Sequence, residues 1–210
     1  MTKIALPSVA GLNVSRETFA KLQAFEALVR KWTPAINLVS KNTLPNLWER
    51  HIVDSAQIFA FRTLSARSWA DFGAGGGFPG LVVALVAQDT TPDLHVTLIE
   101  SDLRKATFLR QAARALKVEV TVLSERAESL SPLNADIVSA RAVAPLSDLL
   151  FLAQRHLQAE GVAIFPKGAR VLEEVADARK LWVFDVDSRP SLSEADASIL
   201  VIRNIHRATD

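Results

Sequence analysis

Residues 71–80 read Asp71-Phe72-Gly73-Ala74-Gly75-Gly76-Gly77-Phe78-Pro79-Gly80, five glycines and one proline in ten positions. Such a segment suits neither the interior of a helix nor that of a strand. Ser68-Trp69-Ala70-Asp71-Phe72 leads into it and reads as a strand. Leu81-Val82-Val83-Ala84-Leu85-Val86-Ala87 leaves it and is apolar enough for a buried helix. Glycine lets the backbone turn sharply and lets a ligand approach main-chain N–H groups. A helix N-terminus beside the turn adds partial positive charge. The segment therefore predicts a ligand loop between a strand and a helix.

The chain beyond residue 68 repeats this alternation. Strands are expected near 68–72, 95–100, 118–124, 135–140 and 161–166, and helices near 79–88, 103–116, 146–157 and 170–180. Strands alternating with helices imply a mostly parallel sheet covered on both faces. Residues 181–186 and 198–205 read as two more strands with no helix between them, a closing antiparallel hairpin. Upstream, Ser15 is placed to cap a helix to about Trp32, with Phe19, Leu22, Phe25, Val29 and Trp32 as its buried stripe. Pro34 is expected to stop it. A second helix is expected over 44–61, with Leu44, Leu47, Trp48, Ile52, Ile58 and Phe59 facing inward. The 210 residues thus read as a single unit, a helical segment over 1–62 attached to an α/β core over 63–210.

Composition narrows the function. Hydrophobic residues are 49% of the chain, which fits a globular protein. No apolar run reaches the ~18–20 residues that span a bilayer. Lys3 is followed by a short apolar stretch that Pro7 interrupts, unlike a signal peptide, so a cytoplasmic protein is expected. There is no cysteine, which excludes disulfides, thiolate metal sites and thiolate-dependent methylation at carbon 5 of a pyrimidine. The four histidines, at 51, 95, 156 and 206, lack metal-ligand spacing, and no metal is expected. Residues 1–67 carry nine Lys and Arg against four Asp and Glu, whereas 68–210 carry fifteen against nineteen. A basic segment on an acidic core suggests a polyanion-binding face.

Two ligand patterns overlap in the glycine loop. Gly75-x-Gly77-x-x-Gly80 fits a dinucleotide fingerprint, and Asp71-x-Gly73-x-Gly75-x-Gly77 fits the first motif of methyltransferases that use S-adenosylmethionine. The turn starts at Gly73, two residues before the dinucleotide pattern does. Asp71 at the strand end suits a cationic ligand and would repel a pyrophosphate. Glu100 ends the next strand, 20 residues after Gly80, where a carboxylate can accept from ribose hydroxyls. Asp102 reads as the N-cap of the following helix. Gly73, Glu100, Arg126, Arg141 and Lys167 all fall at or after strand ends, where ligands bind in open sheets of this type.

Several strings then carry a specific resemblance. They are Asn37-Leu38-Val39-Ser40, Arg50-His51-Ile52-Val53-Asp54-Ser55, Asp71 to Gly80, Arg104 to Gln111, Ser139-Ala140-Arg141-Ala142 and Pro166-Lys167-Gly168. In this order they resemble the bacterial 16S ribosomal RNA small-subunit methyltransferase G family, also called glucose-inhibited division protein B. The resemblance implies a class I S-adenosylmethionine-dependent methyltransferase fold, Rossmann-like, with seven strands and a helical N-terminal extension. It implies methyl transfer to ring nitrogen 7 of one guanosine in 16S ribosomal RNA. Its partner would be the small ribosomal subunit or an assembly intermediate, and the protein would act as a monomer.

The same resemblance assigns residues. Gly73, Gly75, Gly77 and Phe78 would contact the cofactor, Glu100 its ribose, and Ala127 and Glu128 its adenine. Arg141 would bind the cofactor and, with Lys167, position the reactants. From their positions rather than the resemblance, Arg50, His51 and Lys167 are read as facing RNA, with a structural network joining the N-terminal helices to the core as the other reading of Arg50, His51 and Asp54. Gly76 and Phe78 depart mildly from the family pattern. Asp54, four residues after Arg50, could pair with it along a helix face. Nitrogen 7 of guanine carries no proton, so no general base is expected and His51 is not read as one. The competing readings are a small-molecule methyltransferase, a nicotinamide-dependent oxidoreductase and a non-catalytic RNA-binding or assembly protein.

Overall fold

The computed structural model describes residues 6–208; Lys3 lies outside them. A two-strand ribbon opens the chain, β1 (Ser8–Val9) against β2 (Leu12–Asn13). Helix α1 (Arg16–Ile36) follows, capped as expected: the Ser15 hydroxyl accepts from Thr18 N–H at 3.0 Å. Leu22, Phe25 and Val29 of its stripe are buried. Pro34 does not stop it. The helix runs two residues further and closes at Asn37, which is left-handed (φ 51°) and donates to the Thr33 carbonyl at 2.9 Å. Packing of α1 through Trp32 on Phe108, ring centroids 6.1 Å apart, holds that last turn in spite of the missing proline N–H.

The expected helix over 44–61 is the main departure. The segment is a 3₁₀ turn (Lys41–Asn46), a π turn (Trp48–Val53), one α turn, α2 (Asp54–Ala56), and a second 3₁₀ turn (Gln57–Phe61). Pro45 lies inside the first turn. Leu47, Ile52, Ile58 and Phe59 are still buried. The apolar pattern identifies the face and leaves the pitch open.

The core follows as β3 (Ser68–Phe72), α3 (Gly80–Thr90), β4 (His95–Ile99), α4 (Leu103–Leu116), β5 (Thr121–Leu123), β6 (Ala135–Ala140), α5 (Leu146–His156), β7 (Leu157–Lys167), α6 (Val171–Ala178), β8 (Trp182–Pro190) and β9 (Ser198–Arg207). The seven-stranded sheet has the order β5-β4-β3-β6-β7-β9-β8. All pairs are parallel except those of β9, which is antiparallel to both neighbours. The strands alternate faces. Trp69, Leu98, Ile137 and Ile164 pack with α1, the 41–61 segment, α3 and α4. Ala70, Phe72, Val138 and Phe165 pack with α5 and α6. From β3 the chain steps one way to β4 and later the other way to β6, so a crevice opens at their carboxyl ends. Among the described residues no helix is long and apolar enough to cross a membrane.

Candidate functional site

The glycine loop leaves β3 with Gly73 (φ 63°), Gly75 (φ 52°) and Gly77 (φ 92°) in left-handed conformations. At Gly73 a Cβ would also lie 2.5 Å from Val143 Cγ2, and at Gly77 one would lie 2.7 Å from Phe25 Cζ. Backbone conformation and space both demand glycine at these two positions.

Asp71 does not face a ligand. It is fully buried, accepting the Gly80 N–H at 2.9 Å through Oδ2 and the Ser139 hydroxyl at 2.6 Å through Oδ1. Burial pushes its carboxyl up to about 7 against the pull of those bonds. The expectation that it meets a cationic ligand is corrected: it ties the loop to the start of α3 and takes up that helix's positive end. The reason is the strand pleat, which turns Asp71 to the face of the sheet where α3 begins at Gly80.

Glu100, just beyond β4, is 7% exposed. Its Oε2 accepts from Gly75 N–H at 2.8 Å and its Oε1 from Asp102 N–H at 2.7 Å. Each oxygen retains a second lone pair, so the carboxylate shapes the loop and can still accept from outside donors. Asp102 caps α4, accepting from Arg104 N–H at 2.8 Å and Lys105 N–H at 3.3 Å. Ala127 and Glu128 form a 3₁₀ turn (Ala127–Ser129) after β5. No motif pointed to His156, yet it fixes this turn: it is wholly buried, and its Nε2 bonds the Ala127 carbonyl at 2.9 Å.

A cavity of about 570 Å³ occupies the crevice, lined by Gly73, Gly75, Phe78, Arg50, His51, Arg141 and Lys167 among others. Gly77, Glu100, Ala127 and Glu128 are outside its lining. The structure thus brings together the loop, the Arg50–His51 segment and both expected cations, with the adenine turn set to one side.

Arg141, directly after β6, is the centre of the network. Its Nη1 donates to the Arg50 carbonyl at 3.0 Å and to Asp54 Oδ2 at 3.2 Å. Its Nη2 meets His51 Nδ1 at 2.5 Å, and its guanidinium lies 5.3 Å from the Phe78 ring centre. Guanidinium can only donate, so His51 Nδ1 accepts and Nε2 carries the hydrogen. That Nε2–H reaches Thr43 Oγ1 at 2.9 Å, and the Thr43 hydroxyl donates to the Ser40 carbonyl at 2.9 Å. Burial, then the charges of Arg141 and Arg50, lower the His51 pKa to about 3. His51 has both ring nitrogens engaged. Three of the five Arg141 donors are used. Its Nε–H and one Nη2–H have no partner among the described residues.

Two sequence expectations change here. Arg50 pairs with Glu194 instead of Asp54. The wider turn over Trp48–Val53 breaks the alignment that a regular helix gives residues four apart. Asp54 instead takes Arg141, Ser193 Oγ at 2.6 Å and Gln57 Nε2 at 2.9 Å. Lys167, expected to face RNA, is tied inward. Its Nζ donates to the Ala144 carbonyl at 3.0 Å and pairs with Glu174 at 2.7 Å, with 8% of the side chain exposed. Thr43, Glu174, Ser193 and Glu194 complete the site and lie in no recognisable motif. No cluster of metal-ligating residues occurs among the described residues.

The family model described as rRNA small subunit methyltransferase G matches residues 18–200. A Cereibacter sphaeroides (strain ATCC 17029 / ATH 2.4.9) protein named ribosomal RNA small subunit methyltransferase G is 49% identical over 195 residues, covering 93% of this chain and 95% of its own. A protein of the same name from Rhodospirillum centenum is 47% identical over 196 residues, covering 93% and 88%. Among solved structures, M. jannaschii TYW2 in complex with AdoMet aligns with a TM-score of 0.55 at 14% identity, over 81% of this chain and 78% of its own. A SAM-dependent O-methyltransferase from Thermotoga maritima aligns with a TM-score of 0.54 at 13% identity, over 74% and 66%. These two share the α/β fold of the core.

Proposed function

The chain belongs to the rRNA small subunit methyltransferase G family, and we propose that it moves a methyl group from S-adenosylmethionine to nitrogen 7 of a guanosine in 16S ribosomal RNA. The observation that carries this reading is the half-used guanidinium of Arg141 in a cavity bordered by the glycine loop. Its paired edge is locked by Asp54 and His51. Its two remaining donors would meet a carboxylate. The loop and cavity fit the cofactor on independent grounds. A Cβ would fill the turn at Gly73, and Glu100 keeps two lone pairs for ribose hydroxyls beside Gly75.

When bound, S-adenosylmethionine supplies a methyl group on a positively charged sulfur. The residues that would hold it are the Gly73–Phe78 loop, Glu100 at the ribose, Ala127 and Glu128 at the adenine, and Arg141 at the carboxylate. Guanine nitrogen 7 offers an in-plane lone pair and no proton. The chain then has only to align the acceptor and keep water out. Phe78, buried between Phe25 and His51 at centroid distances of 5.1 and 5.0 Å, gives the cavity an apolar wall for that. Lys167 fixes the 142–145 loop against α6, its charge met by Glu174. Arg50 and the basic helical segment before residue 63 work as one unit with the core and meet the RNA. The protein acts as a monomer in the cytoplasm, on the small ribosomal subunit or an assembly intermediate.

The test is incorporation of labelled methyl from S-adenosylmethionine into free 16S RNA, assembly intermediates and finished small subunits from a strain lacking this gene. Label in the RNA of one of these is expected. Cofactor binding without labelled RNA would favour a small-molecule acceptor. Failure to bind the cofactor would overturn the reading of the glycine loop.

A further inference from the structure

We infer that the Arg50–Glu194 pair reads the Watson–Crick edge of the target guanine, and that Glu194 offsets the positive charge the base acquires. This rests on the function proposed above. Glu194 lies in the turn between β8 and β9, far in sequence from every motif. The turn is fastened to the 41–61 segment. Gln57 Nε2 donates to Ser191 Oγ at 3.0 Å, Gln57 Oε1 accepts from Leu192 N–H at 2.8 Å, and Ser193 Oγ donates to Asp54 at 2.6 Å. Glu194 is thereby held against Arg50, and both line the cavity.

One Arg50 nitrogen meets one Glu194 oxygen. The other guanidinium N–H groups and Glu194 Oε2 have no partner among the described residues. The pair therefore shows donors beside an acceptor. The Watson–Crick edge of guanine shows the complement, the O6 acceptor beside the N1–H and N2–H donors. Adenine would set its amino group against the guanidinium and a lone pair against the carboxylate.

Chemistry selects this edge. Arginine usually reads guanine through O6 and nitrogen 7 together. An enzyme that uses the nitrogen 7 lone pair as nucleophile cannot also tie it up with a donor. Recognition from the N1–N2 side leaves it free. Asp54 is bonded at both oxygens, and Glu174 Oε2 takes both Lys167 and the Leu146 N–H at 3.0 Å, which ties Glu174 to Lys167 and the start of α5 rather than to Arg50. A base lifted from its stack and gripped at this edge is a common device of enzymes that modify bases.

The contact grows during reaction. The nitrogen 7 lone pair becomes the new bond to carbon, the old carbon–sulfur pair stays on sulfur, and the purine becomes cationic. Its N1–H becomes more acidic and keeps its proton, so the hydrogen bond to Glu194 strengthens. A bond stronger in the transition state than in the ground state raises kcat.

The experiment first locates the methylated guanosine by mass spectrometry, then replaces it with inosine by splinted ligation of the RNA. Inosine lacks only the N2 amino group. Wild type and Glu194→Gln are compared on both RNAs, by kcat/KM and by RNA affinity in filter binding, with calorimetry confirming that cofactor affinity is unchanged. Wild type should fall roughly 5- to 150-fold in kcat/KM from guanosine to inosine. Glu194→Gln should fall by a larger factor on guanosine than on inosine, where only the N1–H contact is left to lose, so the ratio between the two RNAs should shrink. A variant that keeps the wild-type ratio between the two RNAs overturns the proposal. So does one that binds both RNAs more tightly at that same ratio, which would make Glu194 a mere counter-ion of Arg50. If wild type leaves guanosine RNA unmethylated, the underlying function fails and this inference with it.

Discussion

Replacing Asp71 by asparagine should change how stability depends on pH. The carboxyl is fully buried, and burial raises it from 3.8 to about 7. The unfolded chain releases this proton near pH 4, whereas the folded chain keeps it to about pH 7. The contribution of Asp71 to stability is therefore greatest below pH 4 and is lost as pH rises through 7. The full span of the shift corresponds to about 4 kcal/mol. Between pH 5 and pH 8 the loss is about 2.6 kcal/mol. The Asp71→Asn variant would keep an acceptor for the Gly80 N–H and carry no charge there at any pH, so its offset from wild type should vary with pH by that amount. Urea unfolding followed by tryptophan fluorescence gives the numbers; Trp69, next but one to the site, bonds Ser139 through its indole N–H at 2.8 Å. Other titrating groups cancel in the comparison. Parallel stability curves for the two proteins from pH 5 to 8 would show that Asp71 is ionised throughout and would refute the reasoning.

Gly80→Ala would place a Cβ 2.4 Å from Leu98 Cδ2 and 2.7 Å from Asp71 Oδ2, so the urea midpoint should fall by the equivalent of roughly 1–3 kcal/mol. Asp54→Asn leaves the nearly buried Arg141 without its counter-charge; it should cost about 3 kcal/mol in unfolding experiments and weaken S-adenosylmethionine binding by calorimetry. His51, held near pKa 3 against an ordinary 6.5, favours folding above pH 6.5 and loses that contribution as pH falls. Acid unfolding of His51→Gln should accordingly be shallower than that of wild type, while the kcat/KM profile between pH 6.5 and 8 keeps its shape.

Much of this was legible in the residues because glycine, alternation and capping report local geometry. The α4 bounds and both the Ser15 and Asp102 caps came directly from such signals. The pitch of the 41–61 segment did not, since an apolar stripe constrains a face and tolerates 3₁₀, α and π turns alike. Pro34 misled because a lost hydrogen bond is a small local cost beside the packing of α1. Asp71 misled because strand alternation decides which way a strand-end carboxylate turns. Its register against Ser139 becomes visible only when β3 and β6 are paired. Arg141 and Lys167 were placed at the crevice correctly, but their partners Asp54, His51, Ala144 and Glu174 lie 7 to 90 residues away. Glu194 and Ser193 belong to a hairpin turn of ordinary composition, which acquires meaning only by docking on Gln57 and Asp54.

The most direct measurement is the chemical identity of the methylated nucleoside after enzymatic digestion of the labelled 16S RNA, by chromatography and mass spectrometry against standards. The predicted labelled product is 7-methylguanosine. Label in N1- or N2-methylguanosine, either of which requires a proton to be removed, would contradict it.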